Sequence, residues 1–171
     1  PYGAADGAAL LAHAFVAQDR YELRRVPIDN APVTVLSVVA LPYGYAQLHP
    51  VGDTMLYVRS ELGARPGTTS ASYVAQQSLD GANLRRLSPD APFATDQRPA
   101  YAPDRARYAY LHGPAYGPFE LMVGEVATAA PVAAHRCRTR CWFAWESTDR
   151  LLVVDDGRLL RRGEPGAERP A

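Results

Sequence analysis

Lysine is absent from this 171-residue chain: all 18 basic residues are arginine, and 18 acidic residues balance them to a formal charge of zero. Zero net charge disfavours a protein that grips nucleic acid by bulk electrostatics or holds a membrane surface through a basic patch. Arginine, alanine, proline and glycine share GC-rich codons. The missing lysine therefore reads first as nucleotide bias, and second as a choice of planar, bidentate contacts to carboxylate or phosphate. Long hydrophobic runs are also missing. The longest, Val33 to Leu41, is broken by Thr34 and Ser37. It falls far short of the roughly 18 residues that a membrane-spanning helix needs. Catalytic signatures are lacking: there is no Gly-x-Ser-x-Gly elbow, no His-Glu-x-x-His, no phosphate loop and no dinucleotide-binding glycine pattern. The four histidines, His13, His49, His112 and His135, show no metal-site spacing, and no motif asks for a metal or a cofactor. What remains is 47% hydrophobic, enough for a packed core.

Helical signals are scarce as well. The best helix candidate is Ala8–Gln18, alanine-rich with Leu10, Leu11, Phe15 and Val16, but no capping pair opens it. Elsewhere apolar runs of about four to eight residues alternate with Gly, Pro, Asp and Asn turns, the pattern of an all-β chain. These turns recur in register. Aligning Leu23, Val74 and Leu121, each in a run leading into a turn, gives steps of 51 and 47 residues. A second turn motif precedes each run; taking Gly7, Gly52, Arg105 and Asp149 as equivalents gives steps of 45, 53 and 44. A period of roughly 40–55 residues with four strands per unit is the signature of β-propeller blades. The expected fold is an all-β, partial or open propeller of four-stranded antiparallel blades. The blades fall at about 1–41, 42–94 and 95–135, with a partial fourth at 136–163; together they form a single propeller-like domain followed by a flexible tail, 164–171.

The best-preserved copies are Arg98-Pro-Ala-Tyr-Ala-Pro-Asp-Arg-Ala-Arg-Tyr-Ala-Tyr-Leu111 and Leu79-Asp-Gly-Ala-Asn-Leu-Arg-Arg-Leu-Ser88. They resemble the TolB-type, WD-like propeller repeat of bacterial envelope proteins, a family similar in turn to the propellers of prolyl oligopeptidases. The copies are degenerate, with Arg105 and Asp149 standing where that repeat has glycine. Three to three and a half blades leave sheet faces and edges exposed. The open end is therefore expected to be covered by a protein partner or a second copy of the chain. With the resemblance, this implies a non-catalytic interaction or scaffold module: an extracytoplasmic, periplasmic accessory subunit docking on a larger envelope or membrane-bound complex. The alternative it implies is the propeller part of an oligopeptidase-like serine hydrolase whose catalytic domain lies outside this chain; a propeller binding a small molecule or sugar through its axial loops is a third. The chain opens on Pro1 without a signal-peptide pattern, which reads as a processed or truncated product.

In an up-and-down blade the longer connections share one side, and long loops on a rigid scaffold tend to carry function. Here the long ones are expected at 41–47, 60–72, 88–98, 113–118 and 135–140. They supply the candidate partner-binding residues Tyr43, Tyr45, Arg65, Phe93, Tyr116, Arg136, Arg138 and Arg140. The aromatics suit interface anchors, and the three arginines near the end of the third blade suit an acidic partner. Asp155-Asp-Gly157 reads as a turn, with calcium the alternative for its paired carboxylates. Trp142 and Trp145, on either side of Phe143 in an expected strand, are assigned to a core face.

Only two cysteines occur, Cys137 and Cys141. On an extended strand, residues four apart are separated by about 13 Å, beyond the ~7 Å limit for bridged Cα atoms. A disulfide therefore requires a fold-back between blades; two free thiols or half a metal site are the other readings. The disulfide is the expected state and favours an oxidising compartment. Intact mass before and after alkylation without reductant should show no reactive thiol. Two alkylated cysteines in freshly isolated protein remove the case for that compartment.

Overall fold

The structure is a computed structural model that describes residues 2–3, 9–17, 20–39, 46–48, 54–62, 69–78, 82–89, 94–114, 117–139 and 141–163. Among them there is no helix, and therefore none long and apolar enough to cross a membrane. The first sheet holds β1 (Tyr2–Gly3), β2 (Ala9–Ala17), β3 (Arg20–Pro27) and β4 (Thr34–Val39). The second holds β5 (Ala46–Leu48), β6 (Thr54–Leu62), β7 (Thr69–Ser78) and β8 (Arg85–Arg86). The third holds β9 (Ala94–Tyr101), β10 (Arg107–Pro114), β11 (Glu120–Glu125) and β12 (Val132–Arg136). The fourth has three strands, β13 (Cys141–Trp145), β14 (Leu151–Asp155) and β15 (Arg158–Arg162). Every sheet is an antiparallel meander in chain order, as blades of a propeller require.

The sequence register survives in the pairing. Leu23, Val74 and Leu121 occupy β3, β7 and β11, the third strand of each complete sheet, opposite His13, Val58 and Leu111. In the first hairpin of the third sheet, Arg105 takes the glycine slot with a left-handed φ of 63°. Asp104 accepts a hydrogen bond from the Ala106 amide at 3.1 Å, which closes the turn without glycine. Asn30 and Asn83 hold left-handed φ values of 64° and 52° in the last hairpins of the first two sheets.

Three expectations are corrected. The helix candidate Ala8–Gln18 is strand β2, paired on both sides with β1 and β3. Alanine's helix preference is worth only tenths of a kcal/mol per residue, and two ladders outweigh it. The expected loop at 60–72 is mostly strand: Ser60, Glu61 and Leu62 pair with Ser72, Ala71 and Thr69, leaving a connection of 63–68 outside the described residues. Trp142 and Trp145 lie on opposite faces of β13, because three is an odd separation and strand faces alternate with period two.

Two cores hold the second, third and fourth sheets face to face. Leu56, Val74 and Leu87 of the second sheet pack on Tyr101, Tyr108 and Tyr110 of the third. On the third sheet's other side, Ala109, Leu111, Leu121 and Val123 meet Leu151 and Val153 of the fourth, with Cys137 and Cys141 in the same cluster. Strand β10 is therefore covered on both faces, which is why Tyr108-Ala-Tyr-Leu111 reads as a continuous apolar run instead of an alternating one. Polar pairs cross the same junctions. Tyr108 donates its hydroxyl to the Leu87 carbonyl, Gln76 Nε2 donates to Tyr101 Oη at 2.9 Å, and Arg85 donates to the Ala127 carbonyl. Burial pushes the Tyr108 and Tyr110 hydroxyls well above the ordinary tyrosine range. Yet only Tyr108 has a hydrogen-bond partner; Tyr110 Oη has none among the described residues. Tyr108→Phe strands the Leu87 carbonyl and should cost about 1–2 kcal/mol in urea unfolding. Tyr110→Phe deletes an unsatisfied hydroxyl and should be neutral or stabilising. Equal losses for the two would refute the distinction.

Candidate functional site

The fourth sheet differs from the third in how its faces are used. Along β14 the inward residues Leu151, Val153 and Asp155 are buried, whereas Val154 between them is exposed. Pairing places Trp142 of β13 opposite Val154, and Val154 opposite Leu159 of β15. This row across three strands is 55%, 40% and 64% exposed. The next row on that face is Ala144, Leu152 and Arg161. The Arg98 guanidinium lies over the Trp142 ring, 3.2 Å from its centroid, and covers one side of it. In the third sheet the corresponding face is occupied by its neighbour. Here Arg98 covers part of Trp142, and the row otherwise stays exposed among the described residues.

The rim of this sheet is basic. Of the three arginines expected to form a patch, Arg136 is exposed at the end of β12 and Arg138 is exposed in the link to β13. Arg140 lies outside the described residues, as do Tyr43, Tyr45, Arg65, Phe93, Tyr116 and the tail 164–171. The Arg138 guanidinium approaches Asp156 only to 4.0 Å, while Arg161 pairs with Glu146 at 3.1 Å. Arg158 and Arg162 add two more guanidinium groups from β15. The structure thus sets Arg136 and Arg138 beside a second arginine group that the sequence reading did not single out.

The link between the third and fourth sheets is tied off locally. Cys137 and Cys141 form a disulfide with Cα atoms 5.7 Å apart, and both are buried. Asp155 anchors the same link, accepting hydrogen bonds from the Arg138 amide at 3.1 and 3.2 Å and from His135 Nε2 at 3.0 Å. Arg162 donates to His135 Nδ1 at 3.1 Å, which fixes the ring as its Nε2–H tautomer. Burial works against the ionised Asp155, but the bonds from His135 and the Arg138 amide outweigh it and hold this carboxyl below its ordinary range. The turn proper is Asp156-Gly157, both left-handed. Among the described residues no cluster of three or more His, Cys, Asp or Glu side chains is arranged to hold a metal.

A second carboxylate–imidazole pair, Asp96 and His112, lies directly cross-strand within the third sheet, and its carboxylate reaches the second sheet's segment through Ser88 and the Val74 amide. Asp96 on β9 accepts from His112 Nδ1 at 2.7 Å, from Ser88 Oγ and from the Val74 amide at 3.3 Å. The hydrogen bond to Asp96 raises the His112 pKa above its ordinary 6.5 against the opposing effect of burial. Ser88 bonds the carboxylate and not the imidazole, so the three do not form a serine nucleophile with its base. Sequence reasoning missed these pairs because His112 meets Asp96 through cross-strand register and His135 meets Asp155 through sheet stacking, and neither is visible in a single segment. The one available signal was Leu-Leu-Val-Val154 itself, a strand apolar on both sides and hence built for two neighbours.

No protein-family model and no curated protein matches the chain. Solved structures do. An oligogalacturonate lyase in complex with manganese is 16% identical over 88% of this chain and 44% of its own, with a TM-score of 0.56. A protein assigned as TolB in Agrobacterium tumefaciens is 13% identical over 79% of this chain and 48% of its own, at 0.60. A puromycin-hydrolyzing peptidase of Mycobacterium tuberculosis is 17% identical over 98% of this chain and 29% of its own, at 0.59. Such identities speak for the fold alone, which is the β-propeller. The chain spans less than half the length of each.

Because His112 gains its partner on folding, its contribution is full below about pH 6.5 and is lost as pH rises through its higher folded-state value. His112→Gln should therefore destabilise by about 1–3 kcal/mol near pH 5.5, the range for a hydrogen bond to a charged group. The gap from wild type should close toward pH 8.5. A pH-independent gap in thermal or urea unfolding contradicts this.

Proposed function

We propose that this chain is a non-catalytic, TolB-like propeller module for protein–protein interaction. In this reading residues 1–163 act as one propeller-like unit, and the outward face of the fourth sheet docks a protein partner. The single observation that carries the reading is the one-sided fourth sheet. Trp142, Val154 and Leu159 form a cross-strand apolar row where the third sheet has a covered face. Completing their burial is worth about 4 kcal/mol at roughly 1.5–3 kcal/mol per fully buried side chain. The basic rim suits an acidic surface, and aromatic and arginine side chains are the groups enriched at interface centres. The Cys137–Cys141 disulfide supports an extracytoplasmic location, since such bonds persist in oxidising compartments. Together these support an accessory subunit of a larger envelope or membrane-bound complex. The runner-up, the propeller part of a serine hydrolase, draws on the fold shared with a peptidase of which this chain spans 29%. A Gly-x-Ser-x-Gly region downstream in the full-length gene product would favour it.

Sedimentation of the purified 171-residue chain, with and without hydrophobic dye, tests the proposal. The wild type should self-associate or bind dye, and Trp142→Ser combined with Val154→Thr and Leu159→Thr should reduce both severalfold while circular dichroism stays β-rich. A dilution-resistant monomer that binds no dye sinks the reading. Association that ignores the triple substitution places the interface elsewhere and removes this face from it.

A further inference from the structure

We propose that a β-bulge at Arg98 and Pro99 of β9 is a conformational latch coupling the third and fourth sheets, with Arg98 the residue that positions Trp142. Pairing locates the bulge. Ala109 of β10 stands opposite Ala100 and Leu111 opposite Gln97, so the single Tyr110 between them is matched by two residues, Arg98 and Pro99. In a regular strand, residues three apart lie on opposite faces. Ala109 and Leu111 belong to the core shared with the fourth sheet, and residues directly opposite share a face. The extra residue therefore turns both Gln97 and Ala100 toward the fourth sheet. Arg98 carries the distortion, with a left-handed φ of 53°. An arginine keeps that backbone only where its surroundings over-determine it.

Two tryptophans of β13 supply that support. On the inner face of β13, Trp145 donates its Nε1–H to the Ala100 carbonyl at 3.2 Å. On the opposite face, the Arg98 guanidinium stacks on the Trp142 ring, 3.2 Å from its centroid. One bulge thus holds β13 from both faces. The planar guanidinium suits this position, whereas an ammonium has no plane to stack. The other tie between these sheets lies at the Cys141 end of β13, where Asp155 holds the Arg138 amide and His135 beside the disulfide-closed link. Trp145 is the last residue of β13, so the fourth sheet is tied at both ends. The two ties differ in kind. One is covalent chain and hydrogen bonds to a buried carboxylate; the other depends on Arg98, a half-buried side chain that water reaches. The latch is therefore the tie that yields first, and its release leaves the fourth sheet turning on the link and Asp155. This coupling joins two described sheets and does not depend on what meets the outer face of the fourth.

Hydrogen exchange of the unsubstituted 171-residue chain in sub-denaturing urea is the first test. The amides of β13, β14 and β15 should share one opening, reached at lower urea than the opening of β10 and β11. Arg98→Gly keeps the left-handed backbone without strain and removes the guanidinium. It should speed exchange of β13–β15 about tenfold and leave β6, β7, β10 and β11 within about twofold. Arg98→Lys, which keeps the charge and loses the stack, should fall between the two. Acrylamide quenching of tryptophan emission should rise in Arg98→Gly, because a covered side of the Trp142 ring is opened. The same substitution should add no quenching where Trp142 is already replaced by Trp142→Phe. Equal acceleration across all sheets in Arg98→Gly, or none in any, overturns the proposal. So does exchange of β13–β15 only through the opening that also exposes β10 and β11, a wild-type result that decides the matter even where Arg98→Gly does not fold.

Discussion

A β-sheet has two faces, and each apolar face must be covered; most of this molecule follows from that requirement. The third sheet meets it by stacking, with tyrosines turned to the second sheet and aliphatic side chains turned to the fourth. Small residues let the layers approach. A Cβ on Gly124 would come within 2.7 Å of the Tyr108 hydroxyl, so the glycine of β11 is what lets that ring lie flat across its neighbour and reach Leu87. Packing of this density leaves little freedom for side chains to rearrange, and the layer order is fixed by fit as much as by hydrophobicity.

Stacking by apolar contact alone would let layers slide. Two of the buried carboxylates, Asp96 and Asp155, give these junctions fixed points. Asp96 gathers a serine, an amide and an imidazole from three segments, and Asp155 gathers an imidazole and the amide of the inter-sheet link. A buried carboxylate without partners is costly, and Ser88 and the Val74 amide reach Asp96, as His135 reaches Asp155, only in the correct stacking. The two anchors answer to pH differently. One works through a histidine whose protonation folding favours, the other through a carboxyl whose ionisation folding favours.

The architecture was legible in the sequence because turn chemistry repeats. Asp, Asn and Gly at left-handed or side-chain-closed positions punctuate every unit, and even a degenerate copy such as Asp104-Arg105 keeps the geometry. Local composition misled where it carried no burial signal. The alanine-rich β2 has neither the alternation of a strand nor the capping of a helix, and its state is decided by the ladders it forms with β1 and β3 on either side. Ser60, Glu61 and Ser72 look like loop residues because the hairpin end they extend is polar. The candidate site was legible only in outline. Arg136 and Arg138 were visible as a cluster, but the Trp142–Val154–Leu159 row depends on cross-strand register, which no single segment encodes.

The disulfide between Cys137 and Cys141 joins two ends of one short connection, not one sheet to another. Under tension along the chain it subtracts contour length: its Cα atoms stay 5.7 Å apart where a reduced segment could extend to about 13 Å. A force applied to the last sheet therefore reaches the third sheet with little intervening slack. The covalent ring stiffens the leash between the two layers while leaving their mutual grip to packing and to Asp155.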